Sequence, residues 1–379
     1  MSPSQIIVLA TPVFLLAIAL EWAWGRARGR DTYRLNDAIS SIGLGMLSQL
    51  TAVFLPLLTV GIYTAVQQHL RLVDADAFWM SWIGWPLALV FYDFCYYWEH
   101  RASHRVSAFW GSHVVHHQSQ DYNLSTALRQ PVTRPLFNWL FYLPMALAGV
   151  PPLVFGIVTL VDLLYQFWVH TEHVPRLGWF DRWFCSPSNH RVHHGVNDRY
   201  LDRNYGGILM VWDRLFGTFQ EEDERCVYGT RQPLDSWDPL WSNAQVYAGL
   251  ARDSWRTRRW SDKLQVWLRP PGWQPADLAA AAPRPPFDLA AVSRFHPPLT
   301  RGLAAFAVLQ FAVLLGGVAV FLWFAAATPL PVLAVWLLVL CAGLWCVGAV
   351  MQGRIGRLQA LALEAAAVGA ALAVLAVLR

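Results

Sequence analysis

Ten of the twelve histidines fall between residues 100 and 194, in four groups. His100 and His104 form an H-x3-H pair. His113, His116 and His117 form an H-x2-H-H box, and His190, His193 and His194 form a second one. His170 and His173 flank Thr171-Glu172. On a helix, residues three and four apart share a face, so each group can present its imidazoles together. In each H-x2-H-H box the first histidine shares a face with the last two. Imidazole suits zinc, copper, iron and nickel alike. Structural zinc takes four ligands in a closed site, often with thiolates; here the ligand count is higher and no cysteine joins the boxes. All ten histidines are therefore candidate metal ligands, and their number implies two ions with open positions. A single H-x3-H pair is ordinarily a pair of surface histidines. Two further boxes beside it argue against that reading here, whereas the outlying His69 and His296 read as surface residues.

The elements that must carry these histidines belong to a membrane protein. Of 379 residues, 55% are hydrophobic and only 14% charged, against roughly 25% charged in an average soluble domain. Apolar runs near the 20 residues a spanning helix needs lie at 5–24, 37–65, 78–98, 302–326, 329–352 and 357–378. The run 135–169 is interrupted by Gly149-Val150-Pro151-Pro152, which predicts two short limbs that either span or re-enter. The expected fold class is all-α, a polytopic membrane helix bundle with a cytoplasmic histidine-rich helical cap. Its parts would be N-terminal transmembrane helices (1–98), a histidine-box region (99–275), a Pro/Ala-rich linker (276–301) and C-terminal transmembrane helices (302–379).

Charge adds orientation. Arg26, Arg28, Arg30 and Arg34 follow the first span, and the segments 99–134 and 170–300 hold most of the other arginines. By the positive-inside tendency these stretches, and with them every histidine box, face the cytoplasm. The N-terminus lacks a basic n-region and a small-residue cleavage site and reads as a retained span. A net charge of +4, spread along the chain with Lys263 as the one lysine, does not point to nucleic acid. Tryptophan alternating with arginine over 242–275 reads as an interfacial helix. The five cysteines form no CxxC pair and read as small hydrophobes.

The boxes, with the runs around them, resemble the fatty acid hydroxylase / sterol desaturase superfamily over about residues 35–275, and within it the alkylglycerol monooxygenase branch. The stretches that carry the likeness are Glu99–His104, His113–Gln130, Gln166–Glu172, Ser188–Gly195, Asn204–Gly207 and Trp212–Phe219. Tyr122–Gln130, Pro233–Trp237 and Pro271–Trp273 favour the alkylglycerol branch. The resemblance implies two iron ions held by neutral imidazoles in a bacterial inner-membrane protein. It implies O2 and a membrane lipid as substrates and an external two-electron donor, which in that branch is tetrahydrobiopterin. Gln120 stands where relatives often carry an acid, Asn189 where many carry a histidine, and His173 is not part of the alkylglycerol pattern. Asp93 and Asp162, carboxylates inside apolar runs shortly before a ligand, are candidates to orient His100 or His170 by hydrogen bonds; helix packing is their alternative role. Glu172 is a further candidate. Ether-lipid oxidation, sterol or acyl-chain hydroxylation or desaturation, and non-catalytic metal binding all remain compatible with the boxes.

Overall fold

The computed structural model describes residues 2–377. Among them the chain is all-helical, its only β contacts being the isolated bridges Phe184–Leu209 and Gly195–Tyr228. Helix α1 (Pro3–Ala27) opens on a capping box: the Ser2 hydroxyl accepts from the Gln5 N–H, and the Gln5 side chain accepts from the Ser2 N–H. It buries only Glu21 and Gly25. Helix α2 (Leu35–Ala52) ends where a single long span over 37–65 is expected. The chain restarts as a π turn, Leu57–Gly61, and α3, Ile62–Leu70. Pro56 explains the break, because its ring would clash with the Ala52 carbonyl in a continuous helix.

Helix α4 (Gly84–Arg105) turns at the extended residue Val106 into α5 (Ser107–His117). The apolar hairpin has two limbs, α6 (Trp139–Leu147) and α7 (Pro152–Trp168), parted at Gly149–Pro151. A short α8 (Pro187–His194) carries the last box, and α9 (Pro239–Arg256) and α10 (Trp260–Leu268) follow it. The chain then forms α11 (Arg301–Phe324), α12 (Leu330–Met351) and α13 (Arg357–Val377). Residue 378, the end of the last expected span, lies outside the described residues.

Among the described residues, four helices are long and apolar enough to cross a bilayer: α1, α11 with its extension to Ala327, α12 and α13. The expected spans at 37–65 and 78–98 are not among them. The first is split, and the second runs into a helix whose buried side carries Asp93, Glu99, His100 and His104. Among the described residues, two apolar cores are the largest. One joins α3, α4, α6 and α7 through Tyr63, Tyr92, Cys95, Met145, Val154 and Phe155. The other joins α2, α11 and α12 through Met46, Leu50, Phe311, Leu322, Leu344 and Met351. Helix α9 packs against α5, α2 and α12 and so links the histidine region to the second core.

Candidate metal centre

Nine of the ten candidate histidines converge into two groups. His100, His104, His113, His117 and His193 form one; His116, His170, His190 and His194 form the other. Within each group the donor atoms lie within 4.8 Å of one another. The groups abut, since the rings of His117 and His194 stack with centroids 4.3 Å apart. Helical spacing divides the boxes in a regular way. Each contributes an i,i+4 pair to one group: His100 and His104, His113 and His117, His190 and His194. The inner histidine of each H-x2-H-H box, His116 or His193, turns to the opposite group. Helix α8 is short but firmly started, with Pro187 in its first turn and a capping box between Ser186 and Asn189. Asn189 thus closes the cap of the last box.

Hydrogen bonding fixes what these rings can hold. The Nδ1 atoms of His100 and His193 lie 2.8 and 3.0 Å from the carbonyl oxygens of Tyr205 and Arg203. Those of His116 and His170 lie 3.0 and 2.8 Å from the carbonyls of Arg129 and Gln166. A carbonyl only accepts, so each of these Nδ1 atoms carries the proton and each Nε2 is a bare lone pair. Yet His116 Nε2 and His170 Nε2 stand 3.1 Å apart. Two acceptors at that distance repel unless something positive lies between them. The chain His100–His113–His117–His193 has Nε2 separations of 3.0, 3.0 and 3.1 Å, and its two ends are likewise acceptors. No assignment of protons satisfies all three contacts. Nitrogens about 2.1 Å from a shared metal and at right angles would be about 3.0 Å apart, so a cation resolves every one of these contacts. His104 Nε2 and His194 Nε2 are buried without a hydrogen-bond partner among the described residues, as ligands awaiting a metal would be. Burial pushes His113, His117, His190, His193 and His194 well below the ordinary histidine pKa, and His116 down to about 4. The neutral, ligating form is therefore the resting form.

His173 is not brought to either group. Its Nε2 pairs with Thr32 Oγ1 at 3.1 Å, because the chain after α7 turns this ring toward the end of α1. The carboxylates also act differently from expectation. Asp93 touches no imidazole; it accepts from the backbone N–H of Ile208 (2.7 Å) and Leu209 (3.1 Å) and from Trp212 Nε1 (2.9 Å). Asp162 accepts from Gln166 Nε2 at 2.5 Å and so reaches His170 only through the residue whose carbonyl anchors that ring. Between the two lies Gly207, where a Cβ would stand 2.6 Å from Asp162 Oδ1 and 3.1 Å from Asp93 Oδ1. The loop can tuck beneath the centre only because that position is glycine. Glu172 contributes its carbonyl, which accepts from Arg30 Nη2 at 3.1 Å; among the described residues its carboxylate bonds no imidazole.

Several supports are absent from the sequence reading. Asp213 accepts from the N–H of Tyr205 (2.8 Å) and Gly206 (2.7 Å) and fixes the peptide that anchors His100. Arg129, fully buried, donates to the Val115 carbonyl and to Ser40 and Ser41 while its own carbonyl anchors His116. Tyr122 stacks on His170 and donates to the Val169 carbonyl at 2.9 Å. Gln120 clamps the linker, donating to the Ser293 carbonyl and accepting from the Phe295 N–H. The signal for them in the sequence is that Tyr122, Arg129 and Asp213 sit inside runs that carry the family likeness and that Gln120 departs from it.

An all-helical membrane protein with imidazoles gathered into two abutting, largely buried groups is a membrane metalloprotein. The chain belongs to the fatty acid hydroxylase / sterol desaturase superfamily, whose members are oxidoreductases acting on lipids. The fatty acid hydroxylase family model matches residues 85–218. The chain is 37% identical to the alkylglycerol monooxygenase of Xenopus tropicalis over 311 residues, covering 81% of this chain and 68% of that protein. It is 39% identical to the human alkylglycerol monooxygenase over 270 residues, 70% of this chain and 59% of the relative. Against the ornithine lipid hydroxylase of Rhizobium tropici it is 32% identical over 142 residues, 36% of this chain and 43% of the relative. No solved structure matches the chain.

Proposed function

We propose that this chain is a di-iron monooxygenase that hydroxylates the carbon beside the ether oxygen of an alkylglycerol lipid. The single observation that carries the metal half of this reading is the facing pair of acceptor nitrogens on His116 and His170, 3.1 Å apart. The substrate half is supported by identity to alkylglycerol monooxygenases over most of the chain. Five imidazoles would hold one iron and four the other. Iron rather than zinc is required, because activating O2 takes a redox-active metal, and here it would supply the oxidising equivalent for an unactivated C–H bond.

The protein's own residues keep the ligands neutral, fix their tautomers through the Tyr205, Arg203, Arg129 and Gln166 carbonyls, and bury the centre away from water. The balance is C–H plus O2, two electrons and two protons giving C–OH and water. A hydroxyl beside an ether oxygen is a hemiacetal, which opens to an aldehyde and a glycerol lipid. The electrons come from outside the chain, with tetrahydrobiopterin the donor suggested by the family branch. The arginines after α1 and along 99–134 and 170–300 support placing the centre on the cytoplasmic side of a bacterial inner membrane, within a multi-pass protein.

Incubating membranes that contain the protein with reductant and an alkylglycerol, a sterol or an acyl lipid tests the substrate. Fatty aldehyde from the alkylglycerol is expected. Unchanged alkylglycerol beside an oxidised sterol or acyl chain would transfer the assignment to the wider superfamily.

A further inference from the structure

Glu21 is the one charged residue between Pro3 and Trp24, and with Gly25 it is all that α1 buries. A carboxylate in a spanning helix is costly unless it is satisfied, and this one is used fully. Its Oε1 accepts from Thr171 Oγ1 at 2.5 Å, and its Oε2 from the Leu124 N–H at 2.8 Å and from the Tyr33 hydroxyl. Thr171 follows the ligand His170 directly. Leu124 lies two residues beyond Tyr122, whose ring stacks on His170.

The same end of α1 grips the rest of this arm. Arg30 Nη2 donates to the Glu172 carbonyl, and Thr32 pairs with His173. At Gly25 a Cβ would stand 2.7 Å from the Arg30 carbonyl oxygen and 3.0 Å from His173 Nε2, so the approach is too close for a side chain. Every other ligand in the four-histidine group rides on α5 or α8. His170 alone comes from a segment beyond the end of its helix, since α7 stops at Trp168. That arm needs a support, and α1 supplies it.

We propose that Glu21 is a positioning residue for the four-histidine ion: it holds the Val169–His173 arm and the Tyr122 loop together and so couples the first spanning helix to the centre. The inference rests on the two-iron reading above. Plain helix docking is the rival role, and it leaves the iron environment unchanged when the carboxylate is replaced.

The test uses the full chain in membranes or detergent, loaded anaerobically with 57Fe and read by Mössbauer spectroscopy together with kcat and KM. In Glu21→Gln one of the two acceptor oxygens becomes an NH2 donor, so either Thr171 or the Leu124–Tyr33 side loses its acceptor. Thr171→Val removes the opposite partner and keeps the test alive should Glu21→Gln not insert. Both are expected to alter the signal of one iron only and to lower kcat roughly 10- to 100-fold, the usual cost of losing support behind a ligand, with little change in KM. Thr171→Ser, which keeps the hydroxyl, should restore both readouts. Two unaltered iron signals and unaltered turnover in both variants would overturn the proposal. Wild-type protein that holds fewer than two irons would bring down the two-iron reading itself, and this inference with it.

Discussion

The two histidine groups share α5 and α8 in opposite proportions. The five-membered group takes i,i+4 pairs from α4 and α5 and a single ring, His193, from α8. The four-membered group takes a pair from α8, a single ring, His116, from α5, and its fourth member, His170, from a segment outside any helix. Two intact helical pairs make the first group stiff and leave few positions free. One pair, one inner histidine and one arm make the second more open and more dependent on remote support. The difference shows how a repeated H-x2-H-H box can build two unlike sites: each box is split between them rather than given to either.

The largest expected effects come from the inner histidines that cross between groups. His116→Ala and His193→Ala should each abolish turnover while membrane insertion persists. Their iron contents should differ: His193→Ala leaves four donors in its group, and His116→Ala leaves three. Metal analysis should therefore find more iron retained in His193→Ala, and equal losses would argue against the split described here. An intermediate effect is expected for Asp213→Asn, which weakens the clamp on the Tyr205 peptide behind His100. Turnover should fall roughly 10- to 100-fold, with the disturbed iron signal being the one that Glu21→Gln spares. The smallest effect is expected for His173→Ala. Both irons should remain, and turnover should fall only a few-fold through loosening of the arm; loss of one iron would restore His173 as a ligand.

What the sequence made legible was whatever depends on local spacing. The boxes follow from positions three and four apart on a helix, and the two limbs of the hairpin follow from Pro151-Pro152. The partition of each box did not, because it depends on which helix faces which side of the centre. Spacing alone does not separate His170 from His173, although only His170 lies within the family pattern; both follow the same limb, and the docking of α1 leaves His173 on Thr32. The atoms that fix the tautomers are backbone carbonyls, which any residue supplies, so Arg203, Tyr205 and Gln166 carry no side-chain signature of that role. Asp93 and Asp162 stand out in the sequence as carboxylates inside apolar runs, but Asp93 secures the Ile208–Trp212 loop and Asp162 holds the Gln166 side chain, so neither bonds an imidazole. Glu21 shares with those two its place inside an apolar run, but no ligand follows it closely in the sequence. Pro56 divides the 37–65 stretch despite its apolar composition, a reminder that hydropathy measures length of apolar chain rather than continuity of helix.

The most direct measurement is iron quantification with Mössbauer spectroscopy on anaerobically purified wild-type protein. Two irons per chain in two distinguishable nitrogen-rich environments are the expected result. A single iron, two equivalent irons, or a centre filled by zinc would contradict the assignment of five imidazoles to one redox metal and four to the other.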